Sequence, residues 1–198
     1  MKDVELVKMA KGEEHQASSV LSIAMVSNPI NVAVLQGQGE TERGRLKVMF
    51  MEMLKERPRE VFVAKHDGTI IGVVRSQECH GEPATQEQVA GESEIDEAAL
   101  NDTDSRIAHW LSIWDEHDPL EPHRHLGPVG VLPHFQGHGI GSKMMESFCA
   151  QLDANSEPAY LETDRPENVG FYERFRFRVV GETYIFDIRN YFMWRPAQ

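Results

Sequence analysis

Between Leu126 and Ser142 an apolar stretch runs into a turn with glycines at alternate positions, Gly137, Gly139 and Gly141, and the turn opens a helical pattern. Few folds accommodate a strand that delivers the chain through such a turn into a helix. Glycine permits the backbone conformations that let successive N–H groups converge. The helix adds the positive end of its dipole at the same place. The product is a site for a pyrophosphate.

The rest of the chain alternates between the two periodicities. Residues 4–7 suit a short strand. Ala17, Val20, Leu21, Ala24 and Met25 follow helical spacing, and Asn28 with Pro29 stops that helix. Leu46, Met49, Phe50 and Met53 line a second helix that ends near Arg57 and Pro58. Residues 61–64 and 70–74 read as strands joined by the hairpin signal Asp67, Gly68. Ile107, Trp110, Leu111 and Trp114 mark an amphipathic helix with Thr103 or Asp104 as N-cap, ended by Asp118 and Pro119. After the strand at 126–131 come a helix at 139–152, a strand at 160–163 and a short helix at 167–174. Strand-like runs follow at 177–180, 183–188 and 191–194. No internal repeat is visible. The expected fold is α/β (α+β): one mixed, mostly antiparallel sheet flanked by helices, in a single domain over 1–198.

No apolar run approaches the ~20 residues of a membrane span, so no membrane partner is expected. The N-terminus lacks the apolar region of a signal peptide. Cys79 and Cys149 lie far apart in sequence and belong to no redox or metal motif. Both are expected to be reduced thiols of a cytoplasmic protein. The formal net charge of −12 comes from one segment: residues 78–122 hold 13 acids against the single base Arg106, leaving 19 of each sign elsewhere. A basic patch for nucleic acid is not evident. The acidic segment reads first as a solvated insertion, loop-like up to about residue 103. Its second reading is a field that draws in a cationic substrate such as an amine.

Three ligand classes use a glycine-rich strand-to-helix turn. A nucleotide P-loop places Gly-Lys-Ser/Thr at the helix start, whereas here Gly141, Ser142 and Lys143 run in the wrong order. A dinucleotide site wants a glycine where Ser142 stands. Glu162 lies where a ribose-binding acid would, but too little chain follows it for further βα units. That reading predicts NAD binding. Coenzyme A is the third class. Val129, Gly130, Val131 and Pro133, followed by Gln136, Gly137, His138, Gly139, Ile140 and Gly141, resemble the acyl-CoA signature of the GNAT superfamily of N-acetyltransferases. Tyr160, Leu161, Glu162 and Thr163, followed by Asn168, Phe171, Tyr172, Phe175 and Phe177, look like that family's second cofactor motif. The two motifs occur in the family's order with one helix between them, and the resemblance covers nearly the whole chain.

The resemblance implies transfer of acetyl from acetyl-CoA directly to an amine, on a small molecule or a peptide. It implies main-chain donors from Gln136 to Ser142 for the pyrophosphate, with His138 contributing its N–H alone. The strand bearing Val129 and Val131 is expected to splay from the strand of Glu162, leaving a gap for the pantetheine arm. An amide at Val129 would stabilise the oxyanion. Tyr172 matches the general acid that protonates the CoA thiolate, and Asn168 matches a cofactor-binding asparagine. Read as a residue alone, Tyr172 is an ordinary helix tyrosine packed beside Phe171 and Phe175, and Asn168 a helix cap. Arg176 departs from the family's usual glycine, which implies a tolerated left-handed residue or a modified turn.

The general base is open between Glu162, His125, His123 and a water relay, with His80 and the acidic segment more remote. His117, Asp118, His123 and His125 match no metal-ligand spacing, and no metal is expected. Trp110 and Trp114 read as core, although their helix leads into the central strand and an aromatic, acidic surround suits a cationic or aromatic amine. Neither cysteine suggests a covalent intermediate. A non-catalytic acyl-CoA-binding module is the alternative, predicting CoA binding without turnover. A homodimer is expected only because dimers are common.

Overall fold

The computed structural model describes residues 4–56, 60–80 and 96–198. Its organising element is a seven-stranded sheet in the order β1-β2-β3-β4-β5-β7-β6. The strands are β1 (Val4–Lys8), β2 (Glu60–His66), β3 (Thr69–Cys79), β4 (His123–Val131), β5 (Ala159–Thr163), β6 (Arg178–Ile185) and β7 (Ile188–Arg195). Every neighbouring pair is antiparallel except β4 and β5. That pair is joined only at Arg124↔Ala159 and His125↔Tyr160. Beyond it the strands part, as expected for the splayed centre.

The helices are α1 (Glu14–Met25), α2 (Pro29–Leu35), α3 (Glu40–Met53), α4 (Thr103–His117), α5 (Ile140–Asn155) and α6 (Pro166–Glu173). On one face of the sheet Met144, Met145, Phe148 and Leu152 of α5 pack with Tyr172 and Phe177 against Ala64, Val74, Leu126 and Leu161. On the other, Val20 and Leu21 of α1 and Leu46 and Phe50 of α3 cover Val61, Val63, Ile70 and Val73. Ile30 and Val34 of α2, Trp110 of α4 and Ile185 form a third cluster. The alternation along β2, with Val61 and Val63 on one face and Ala64 on the other, is the period-2 pattern of a sheet buried on both sides.

Several local readings need correction. Pro29 does not only stop a helix; it is the first residue of α2, where its missing N–H costs nothing. The next amide, Ile30 N–H, donates to Asp164 Oδ2 at 2.7 Å, a cap supplied from 134 residues away. α3 ends at Met53, ahead of the expected stop, and 57–59 lie outside the described residues. The N-cap of α4 is Asp102, not Thr103 or Asp104: its Oδ1 accepts Ser105 N–H at 2.8 Å. The run read as a strand over 183–188 is broken by a turn at Phe186 and Asp187, both at positive φ, so β6 and β7 form one hairpin. Phe186 tolerates this because its N–H donates to Glu97 and the Arg106 guanidinium lies 3.7 Å over its ring. Arg176 takes the left-handed conformation (φ 68) that a glycine would occupy. Of the loop expected before residue 103, positions 81–95 lie outside the described residues.

Candidate active site

The glycine turn is built as the sequence demands. Gly137 (φ 76) and Gly139 (φ 79) are both left-handed, and nothing lies within 4 Å of where a side chain would begin. Gln136 and His138 fold back on the turn: Gln136 Nε2 donates to the Val131 carbonyl, and His138 Nδ1 lies 2.8 Å from the Gln136 carbonyl. Gly139 caps α5, and the first helical hydrogen bond runs from Lys143 N–H to its carbonyl. The N–H groups of Ile140, Gly141 and Ser142 therefore have no partner within the helix. Residues 136–139 are exposed, whereas the Ile140 side chain is buried in the core and offers only its amide.

The parting of β4 and β5 opens a cavity of about 370 Å³ whose lining includes none of the turn residues 136–142. Val129 lines it from β4, and Val131 does not reach it. Asn168 and Tyr172 line it from one face of α6, four residues apart. Asn168 Nδ2 donates to Thr163 Oγ1 and does not cap the helix, whose N-cap is Arg165. Tyr172 meets Phe171 and Phe177 edge-on and is 9% exposed, so it is at once a packed residue and part of the wall. Burial, followed by the Asp164 charge, pushes its pKa up to about 12.

The far wall is α4. Trp110, Leu111, Trp114, Asp115 and Asp118 all face the cavity. Trp110 packs edge-on against Trp114 at 4.8 Å, and Trp114 Nε1 donates to Asn190 Oδ1. Trp110 is thus a core residue as expected, Trp114 is partly buried against it, and both line the cavity. The acidic segment contributes directly through Asp115 and Asp118, facing Glu162 and Asp164. Burial first, then Asp118 and Glu162, raise the Asp115 pKa; burial raises that of Asp164. The segment's one base, Arg106, is spent on the Ala33 and Leu100 carbonyls.

Two of the base candidates meet. His125 Nε2 lies 2.8 Å from Glu162 Oε2, while Glu162 Oε1 is buried with no hydrogen-bond partner among the described residues. His123 joins the cluster, with Asp118 Oδ1 3.4 Å from its Nε2 and 3.6 Å from His125 Nδ1. His80 is exposed and outside the cavity lining. His117 turns away to stack on Phe192 at 4.1 Å. The member that sequence reasoning missed is Cys79. The antiparallel register places it opposite His123, and its sulfur lies within 4.8 Å of both rings' ligand atoms. Burial alone would raise the thiol pKa and lower those of the imidazoles. The mutual contacts outweigh it: Cys79 falls to about 6, His123 rises to about 9, and His125 rises through Glu162, Cys79 and Asp118.

The sheet thus splays between its two parallel strands, and the glycine turn follows the splayed strand β4 into α5. Residues 29–177 match the model of the Acetyltransferase (GNAT) family, and the chain belongs to that family of acetyl-transferring enzymes. Its fold is similar to that of arylalkylamine N-acetyltransferase 2 from Aedes aegypti (TM-score 0.75, 15% identity, 100% of each chain covered). It is also similar to the Drosophila melanogaster polyamine N-acetyltransferase that forms N-acetylagmatine (0.69, 14% identity, 97% and 98% covered). A GNAT acetyltransferase from Brucella melitensis, solved in complex with acetyl-CoA, matches at 0.54 with 17% identity over 99% of this chain and 89% of that one.

Proposed function

We propose that the protein acetylates the primary amine of a small cationic acceptor with an apolar or aromatic body. The observation that carries this reading is the cavity itself, which joins the β4–β5 gap to a wall of Trp110, Trp114, Asp115 and Asp118. Carboxylates at low local dielectric favour an ammonium group, and the indole faces favour both cations and rings. The CoA pyrophosphate lies on the amides between Gln136 and Ser142, and the pantetheine arm along the unpaired edge of β4. The Val129 amide stabilises the oxyanion. Glu162 Oε1 takes a proton from the bound ammonium, directly or through water, and the freed amine nitrogen attacks the thioester carbon. The C–S bond breaks, Tyr172 protonates the thiolate, and the second proton lost by the nitrogen passes through water to restore Tyr172. His125 holds the other oxygen of that carboxylate. We read residues 1–198 as one domain and place the protein in the cytoplasm, where the free thiols of Cys79 and Cys149 stay reduced.

The test is thiol release from acetyl-CoA with a panel of arylalkylamines, agmatine, polyamines, aminoglycosides and a peptide N-terminus. The reading expects the highest kcat/KM among monoamines with a ring or apolar chain. Acetyl-CoA binding without turnover of any amine would favour a non-catalytic module.

A further inference from the structure

Next to the transfer chemistry, the structure gathers side chains whose atoms can hold a metal ion: Cys79 with His123 and His125, and Asp118 with His125. We propose that Cys79, His123 and His125, with Asp118 beside both rings, form a binding site for a divalent transition metal, zinc by its donor set. The sheet register creates it. Cys79 pairs with His123 across β3 and β4, and His125 follows two residues later on the same face. Asp118 reaches in from the end of α4.

Both rings have one nitrogen committed. His123 Nδ1 lies 2.8 Å from the Glu121 carbonyl, which can only accept, so Nδ1 carries the proton. His125 Nε2 does the same toward the Glu162 carboxylate. A bound ion displaces the second proton of each ring, and the lone pair then falls on the other nitrogen. These are His123 Nε2 and His125 Nδ1, the atoms 3.4 and 3.6 Å from Asp118 Oδ1. A tetrahedral ion with ~2.0–2.2 Å bonds to nitrogen and oxygen separates its ligands by about 3.3–3.6 Å. A carboxylate or carbonyl behind each ligating imidazole is the usual outer shell of such a site. The His123 side chain is fully enclosed, and both its Nε2 and Asp118 Oδ1 are buried without a hydrogen bond among the described residues. Cys79 supplies the soft donor that favours zinc over magnesium or calcium. Cys79, Asp118 and His125 also line the cavity, which gives the ion a route in.

The site shares Asp118 and His125 with the acceptor cavity, but its test reads metal uptake alone, which the acceptor reading does not predict. The experiment strips the full chain with a chelator, titrates it with Co²⁺ while recording its absorption spectrum, and then titrates Zn²⁺ against a chromogenic chelator. One ion per chain is expected, with a thiolate-to-cobalt charge-transfer band and the intense visible bands of tetrahedral cobalt. Cys79→Ser abolishes the charge-transfer band, and Cys79→Ala and Asp118→Asn each weaken zinc binding by at least ~10-fold. Circular dichroism and melting of the stripped variants verify that they fold. The proposal is overturned if no stoichiometric ion is taken up, or if folded Cys79→Ala and Asp118→Asn bind zinc as tightly as the parent chain.

Discussion

His125 and Glu162 are held together at 2.8 Å across the mouth of the splay, with His125 in the last residue pair that joins β4 to β5 and Glu162 two residues further along β5. The bond lies where the backbone ladder gives out. It leaves one carboxylate oxygen, Oε1, at the cavity wall without a hydrogen-bond partner among the described residues.

Because both residues serve one carboxylate, their replacement is expected to be non-additive. Glu162→Gln lowers kcat by about 10²–10⁴-fold, the usual contribution of a positioned base. His125→Gln lowers it less, and the double variant loses little more than Glu162→Gln alone. Steady-state kinetics with saturating acetyl-CoA decide this. A fully additive double variant would show that the two act independently.

Tyr172→Phe is expected to reduce kcat by roughly 10²-fold with little change in acetyl-CoA affinity. Burial raises the folded-state pKa to about 12, above the ~10 of an exposed tyrosine. The fold therefore favours the neutral form. That contribution to stability is complete below pH 10 and is lost as pH rises from 10 through 12. An activity limb below pH 10 belongs to another group and persists in Tyr172→Phe. Its disappearance in that variant would contradict the assignment.

Gly139→Ala tests the pyrophosphate turn. A left-handed conformation costs a non-glycine residue about 1–2 kcal/mol, and there is space for the added methyl group. Acetyl-CoA affinity should fall about 5–30-fold in calorimetric titration, with the far-UV spectrum unchanged. Unaltered affinity would place the pyrophosphate elsewhere.

Gly130→Ala tests packing. A Cβ there would lie 3.1 Å from Leu21 Cδ2 and 3.2 Å from Ala24 Cβ, because α1 crosses β4 closely. Overpacking of this kind costs about 1–3 kcal/mol, read as a lower melting temperature. An unchanged transition would mean that α1 shifts freely.

Where signals were local, the chain was legible. The hairpin at Asp67 and Gly68 was visible because both residues readily adopt positive φ (49 and 74). The equivalent turn at Phe186 and Asp187 carries no glycine and was read through, because what holds it is Glu97 and Arg106 from another part of the chain. α2 was missed for the same reason: its cap, Asp164, arrives from β5's end. At Arg176 the sequence leaves a left-handed residue or a modified turn open, and the structure takes the left-handed conformation.

The sequence by itself determined the strand, glycine turn and helix from Leu126 onward, the order of the two cofactor motifs, and the identities of Tyr172, Glu162 and His125 as candidates. These follow from backbone preferences and periodicities that act over a few residues. Only the tertiary structure decided that Glu162 pairs with His125, that α4 brings Asp115, Asp118 and two tryptophans to the cavity, and that Cys79 lies against His123. Those convergences depend on strand register and on packing between segments distant in sequence, which leave no trace in the spacing of neighbours.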